Sequence, residues 1–168
     1  MIDSRPETIE DETNPLDNVE DILHAHNWTF NRMTDDELVV DVTGKSGNYG
    51  LFFIWQEDMG ALQLCVQLDL EIRDNNIKTA QKAVFSINEN LWMGHFDLPK
   101  SNNKPSYRYN CLLRGSQRHN ASCLIEDVVD IALAQCERHY PLFTLLTSAN
   151  DINDQTLSLA LMDTQGES

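Results

Sequence analysis

The sequence predicts an α+β fold, an antiparallel sheet with helices packed on one of its faces. Three observations lead there. Alternating apolar and polar residues recur in successive runs from Trp28 to Ile72, separated by turns too short to hold crossover helices. In Lys78 to Leu98 the period switches from helical to two: Ala80, Ala83, Val84, Ile87 and Leu91 form one stripe, and His95, Phe96, Asp97, Leu98 then alternate. A second helical stripe, Leu124, Ile125, Val128, Val129, Ala132, Leu133 and Cys136, follows a further strand. Runs of strands interrupted by a few helices bury those stripes against the sheet.

Met1 to Thr13 is acidic and without period, which predicts a disordered tail over 1–13 and a single domain over 14–165. Asn14 is placed to cap a helix, Pro15 suits its first position, and Leu16, Val19, Ile22 and Leu23 give a stripe, so the first helix is expected over 15–26. Short strands are expected at Trp28 to Phe30 and at Leu38 to Val42. Tyr49 to Gln56 is apolar on both faces and reads as a central strand covered twice. Leu62 to Ile72 alternates cleanly. Lys78 to Met93 is expected to be the helix that shields the sheet, with Gly94 as its stop. After a polar loop, Tyr107, Tyr109, Cys111 and Leu113 share one strand face. Ser122 is placed to cap the next helix, and Pro141 should end it. Leu142 to Leu146 then forms an apolar bridge, and a last short helix starts near Asp151 to Asp154.

Charge narrows the function classes. The chain carries 27 acidic and 12 basic residues, a formal net charge of −15, which repels phosphate backbones and anionic lipid. Neither nucleic acid nor membrane is an expected partner, and no run approaches the roughly 18 apolar residues of a membrane span. Arg73 to Arg118 nevertheless holds eight bases against three acids. That stretch reads as solvated surface, or as a mildly basic face for an acidic segment. Cys65, Cys111, Cys123 and Cys136 share no C-x-x-C spacing, and no secretory pattern precedes them, so reduced thiols in the cytoplasm are expected.

Three stretches, Tyr49 to Leu70, Ile87 to Leu98 and Ile131 to Pro141, resemble the YbjN family, described as bacterial sensory transduction regulators. Its most specific pattern is Asn-x-x-Leu-Trp-x-Gly-His-Phe-Asp, here Asn88 to Asp97. The resemblance covers about Leu16 to Met162. It implies the order α-β-β-β-α-β-β-α, similar to type III secretion chaperones, which are often dimers; a C-terminal helix is added here. It supplies neither catalytic residues nor a cofactor, and the acidic N-terminus departs from it.

The residues add no chemistry of their own. Cys136 and His139 are three apart on one helix, but Cys136 lies on the apolar stripe and reads as a small core residue. His24 and His26 are two apart on a helix and face different ways, so no metal site is expected. The turn Gly44 to Gly50 lacks phosphate-loop spacing. No catalytic, cofactor or metal residue is assigned, and the chain is expected not to be an enzyme. The expected role is a noncatalytic regulatory or chaperone-like module that binds a protein or peptide, as a homodimer. The alternative is a small-molecule sensor with a pocket between sheet and helix lined by Trp55, His95, Tyr107 and Tyr109. Trp92 lies at the edge of the central stripe, where an exposed indole would anchor a partner.

Overall fold

The computed structural model describes residues 14–115, 118–148, 150 and 152–165; the acidic stretch at 1–13 lies outside them. The elements are α1 (Pro15–Ala25), β1 (Phe30–Thr34), β2 (Glu37–Thr43), β3 (Asn48–Gln56), β4 (Ala61–Leu68), α2 (Ile77–Glu89), β5 (His95–Asp97), β6 (Ser106–Leu112), α3 (Arg118–Ser148) and α4 (Asp154–Gln165). The six strands form one sheet in the order β1-β2-β3-β4-β6-β5, antiparallel at every pairing. The α+β class holds. Four strands precede α2, where the resemblance implied three.

α1 starts as its sequence directs. Asn14 accepts from the Leu16 N–H, and Pro15 occupies the first helical turn, where its missing N–H costs nothing. Arg32 of β1 then ties helix to sheet, reaching Glu20 at 2.7 Å and the Asp35 carbonyl at 2.7 Å.

The sheet's inner face is built by alternation. Leu38, Val40 and Val42 of β2, Tyr49, Leu51 and Phe53 of β3, Leu62, Leu64, Val66 and Leu68 of β4, Phe96 of β5 and Tyr107 of β6 are all buried. They share one core with Leu16, Val19 and Leu23 of α1 and with Ile125, Val129, Ala132, Cys136, Phe143 and Leu146 of α3. At about 1.5–3 kcal/mol for each large side chain, this burial is the main stabilising term.

Three expectations are corrected. The sheet is covered by α1 and α3 rather than by the helix at 78–93. α2 buries Ala80, Ala83 and Ile87 but packs at the sheet's end, against β5, α3 and α4. It also stops at Glu89, so Leu91 to Met93 form a turn and Gly94 lies beyond the helix. β3 is covered on one face only, its Phe52 and Ile54 being half-buried on the other. Finally, α3 runs through Pro141 to Ser148. An interior proline costs about 3 kcal/mol, which burying Leu142, Phe143 and Leu146 more than offsets at about 1.5–3 kcal/mol each.

Candidate functional site

The turn between α2 and β5 is fixed from three sides. The Asn88 side-chain amide accepts from the Phe96 N–H at 2.8 Å and donates to the Phe96 carbonyl at 3.0 Å. It thus satisfies the outer edge of the last strand as a neighbouring strand would. Gly94 has φ +65°, and a Cβ there would stand 2.4 Å from the Tyr107 hydroxyl and 2.8 Å from the Arg108 carbonyl oxygen. That hydroxyl donates to the Met93 carbonyl at 2.6 Å. Burial pushes the Tyr107 phenol up to about 12, so it remains a donor at any physiological pH. Below the turn, Phe96 meets the rings of Tyr107, His139 and Phe143 at 5.2, 5.2 and 5.5 Å. Asp97 pairs with Arg108 at 3.3 Å.

Within this fastened segment Trp92 is 99% exposed. An indole in water has forgone about 1.5–3 kcal/mol of burial. Nothing in the turn's own construction uses it. Phe85 of α2, which lines a shallow groove with Leu157 and Leu161 of α4, is exposed too.

Beside Trp92 a cleft of about 490 Å³ opens between the end of α2, α3 and α4. Ile87, Leu91, Met93, Ile131 and Leu161 give it apolar walls, and Gln135, Arg138 and His139 give it polar ones. The Nδ1 of His139 lies 2.9 Å from the Gln135 carbonyl. A carbonyl only accepts, so Nδ1 carries the proton and Nε2 is left as an acceptor. Burial, with the Arg138 charge beside it, lowers the His139 pKa against the opposing pull of that hydrogen bond, which keeps the ring neutral. The Gln135 side-chain oxygen is buried and has no hydrogen-bond partner.

Of the candidate binding residues Trp55, Trp92, His95, Tyr107 and Tyr109, only Trp92 lines this cleft; His139, weighed from sequence only beside Cys136, lines it too. Tyr107 is fully buried beneath the turn. Trp55 and Tyr109 lie half-buried on the sheet's inner side, and His95, next to inward-facing Phe96, is exposed on the opposite side. The structure therefore does not bring Trp55, His95, Tyr107 and Tyr109 around one pocket. Sequence reading missed Asn88, Gln135 and Arg138. Ile131, Gln135 and Arg138 stand at i, i+4 and i+7 on one helical face, a spacing that a solvated face shares.

The chain matches the family model of YbjN, "putative bacterial sensory transduction regulator", over residues 15–145. The chain belongs to the YbjN family. Among solved structures it is similar to the crystal structure of YbjN from E. coli, titled "a putative transcription regulator", at 11% identity and a TM-score of 0.49, over 74% of this chain and 93% of that one. No curated protein matches.

For this YbjN-family domain the remaining clusters have structural explanations. Cys136 is buried, and burial pushes its thiol pKa well up, so it is a core residue rather than a nucleophile. The turn at 44–47 grips α3. The Ser46 N–H donates to the Glu137 carboxylate at 2.9 Å, and Cβ atoms at Gly44 or Gly47 would collide with Glu137 and Tyr140. Burial raises the Glu137 pKa, but hydrogen bonding to Ser46 and the Lys45 backbone outweighs it and holds the group below the usual value. Three of the eight bases of 73–118 pair with acids within the fold: Lys82 with Asp154 at 3.3 Å, Lys104 with Asp69 at 3.2 Å and Arg108 with Asp97. Among the described residues no helix is long and apolar enough to cross a membrane.

Proposed function

We propose that this YbjN-family chain is a noncatalytic regulatory module that binds protein, including a second copy of itself, through the α2–α4 flank around Trp92. The observation that carries this reading is the exposure of Trp92 at 99% in a turn that the Asn88 and Tyr107 hydrogen bonds hold in place. Desolvated tryptophans at the centre of an interface commonly dominate its energy. Exposed Phe85, in a groove with Leu157 and Leu161 of α4, extends the apolar surface on that side. The Asn88 amide already occupies the backbone of β5, which favours groove packing over strand addition at that end of the sheet. A net charge of −15 disfavours nucleic acid and anionic membrane as partners. The cysteines are unpaired, in keeping with a reducing cytoplasmic setting.

A photo-crosslinking residue placed at Trp92, and separately at Met33 on β1, tests this. Adducts concentrated at position 92 support the reading; adducts at position 33 alone would move recognition to the β1 edge.

A further inference from the structure

We propose that the groove between α2 and α4 receives the acidic residues 7–12 of a second copy of this chain, with Ile9 against Phe85, Leu157 and Leu161 and the neighbouring carboxylates on Lys78 and Lys82. The inference rests on the reading that this flank docks protein, and it names the docking segment. The groove holds about 800 Å³. Leu157 is buried in it, Leu161 is half-buried, and Phe85 is 68% exposed. Leu161 also lines the cleft beside Trp92, so the two hollows adjoin. The groove is basic along α2, in an otherwise acidic protein. Lys78 and Lys82 stand one helical turn apart and line it together with Phe85. Its one acid, Asp154, pairs with Lys82 at 3.3 Å, but both side chains are largely exposed, and such a pair contributes little. Lys78 is in no ion pair among the described residues. It lies in the first turn of α2, where the helix dipole already presents positive charge and no acid accompanies it.

Residues 7–12 read Glu-Thr-Ile-Glu-Asp-Glu: four acids, no base, and one large apolar side chain. The spacings agree. Phe85 lies three residues beyond Lys82 and seven beyond Lys78, about 4.5 and 10.5 Å along the helix axis. In an extended segment Asp11 and Glu12 stand about 6.6 and 10 Å beyond Ile9, and flexible lysine stems close the difference. Reach decides which copy supplies the segment. α1 begins beside the β1–β2 turn, where the Asn14 amide donates to the Asp35 carbonyl at 2.7 Å. β1 forms one edge of the sheet, and α2 packs against β5 at the other. Crossing the five strand spacings takes about 24 Å, which consumes about seven extended residues. Residues 7–13 are therefore spent before the chain's own groove is reached, whereas a neighbour's groove carries no such restriction. Exchange between two copies fills both grooves and closes the pair.

The test is carbodiimide cross-linking of a mixture of isotope-labelled and unlabelled full chain, which joins lysines to carboxylates in direct contact and shows by mass whether the two ends come from different copies. The expected result is mixed-isotope cross-links between residues 7–12 and Lys78 or Lys82, reduced about fivefold or more by Ile9→Ser and by Phe85→Ser. Phe85 is exposed in the single chain, so the urea midpoint of Phe85→Ser should stay at the wild-type value. Cross-links confined to one copy, or spread equally over Lys45, Lys100 and Lys104, would overturn the proposal, as would a yield that Phe85→Ser leaves unchanged. Light scattering reads the pairing separately. A dimer that gives no mixed-isotope cross-link from residues 7–12 removes this proposal alone, and cross-links that persist undiminished in Trp92→Ser remove the Trp92 reading alone.

Discussion

The side chain of Asn88 holds both backbone groups of Phe96, accepting at 2.8 Å and donating at 3.0 Å. This pair joins α2 to the last strand of the sheet and closes an edge that would otherwise be open to another chain. Asn88→Leu leaves two backbone groups unpaired, and we expect it to cost about 1–3 kcal/mol in urea unfolding and to promote association through β5. Asn88→Asp retains the acceptor for the Phe96 N–H and loses the donor, so its cost should fall between wild type and Asn88→Leu.

Gly94 tests the turn itself. At φ +65° with Tyr107 and Arg108 at its back, Gly94→Ala combines left-handed backbone strain of about 1–2 kcal/mol with a collision at 2.4 Å. The variant should be destabilised beyond the strain alone, and Trp92 fluorescence should change because the turn must move. Tyr107→Phe, which removes only the hydrogen bond to Met93, should cost about 1 kcal/mol.

His139 gives a pH dependence. Its folded pKa is lowered, chiefly by burial, so the unfolded chain binds the proton more readily. Its contribution is fully present above the unfolded value of about 6.5 and declines as pH falls below it, toward the folded pKa. Unfolding free energy measured between neutral pH and pH 5 should therefore drop, and His139→Phe should flatten part of that drop.

Glu137 acts lower on the scale. Its folded pKa is depressed by the hydrogen bonds of the 44–47 turn despite burial, so its stabilisation is present above the unfolded value of about 4.3 and is lost as pH falls through the folded pKa. Glu137→Gln should destabilise at neutral pH by about 1–3 kcal/mol, and the difference from wild type should shrink in acid.

The sheet was legible because its strands alternate: inward Leu62, Leu64, Val66 and Leu68 announce β4 without any tertiary knowledge. α1 was legible through Asn14 and Pro15. The role of the 78–93 helix was not, because a stripe such as Ala80, Ala83 and Ile87 says that a face is buried and not against what. Pro141 misled because its local cost is visible in sequence, while the burial of Phe143 and Leu146 that offsets it is tertiary. In the candidate site, Trp92 was visible from its place beside the stripe. Gln135 and Arg138 were not, since nothing in a sequence distinguishes a solvated glutamine from one whose oxygen is buried without a donor. Asn88 stood in the family pattern, yet its hold on Phe96 depends on a turn that sequence does not show.

Light scattering at high micromolar concentration tests the Trp92 surface most directly, read for wild type and Trp92→Ser together with their urea midpoints. Because the indole is 99% exposed in the single chain, the substitution should shift stability of the monomer by less than about 0.5 kcal/mol. The account predicts a dimer for wild type and a monomer for Trp92→Ser with the fold intact. A monomeric wild type, or a dimer that survives loss of the indole, would contradict it.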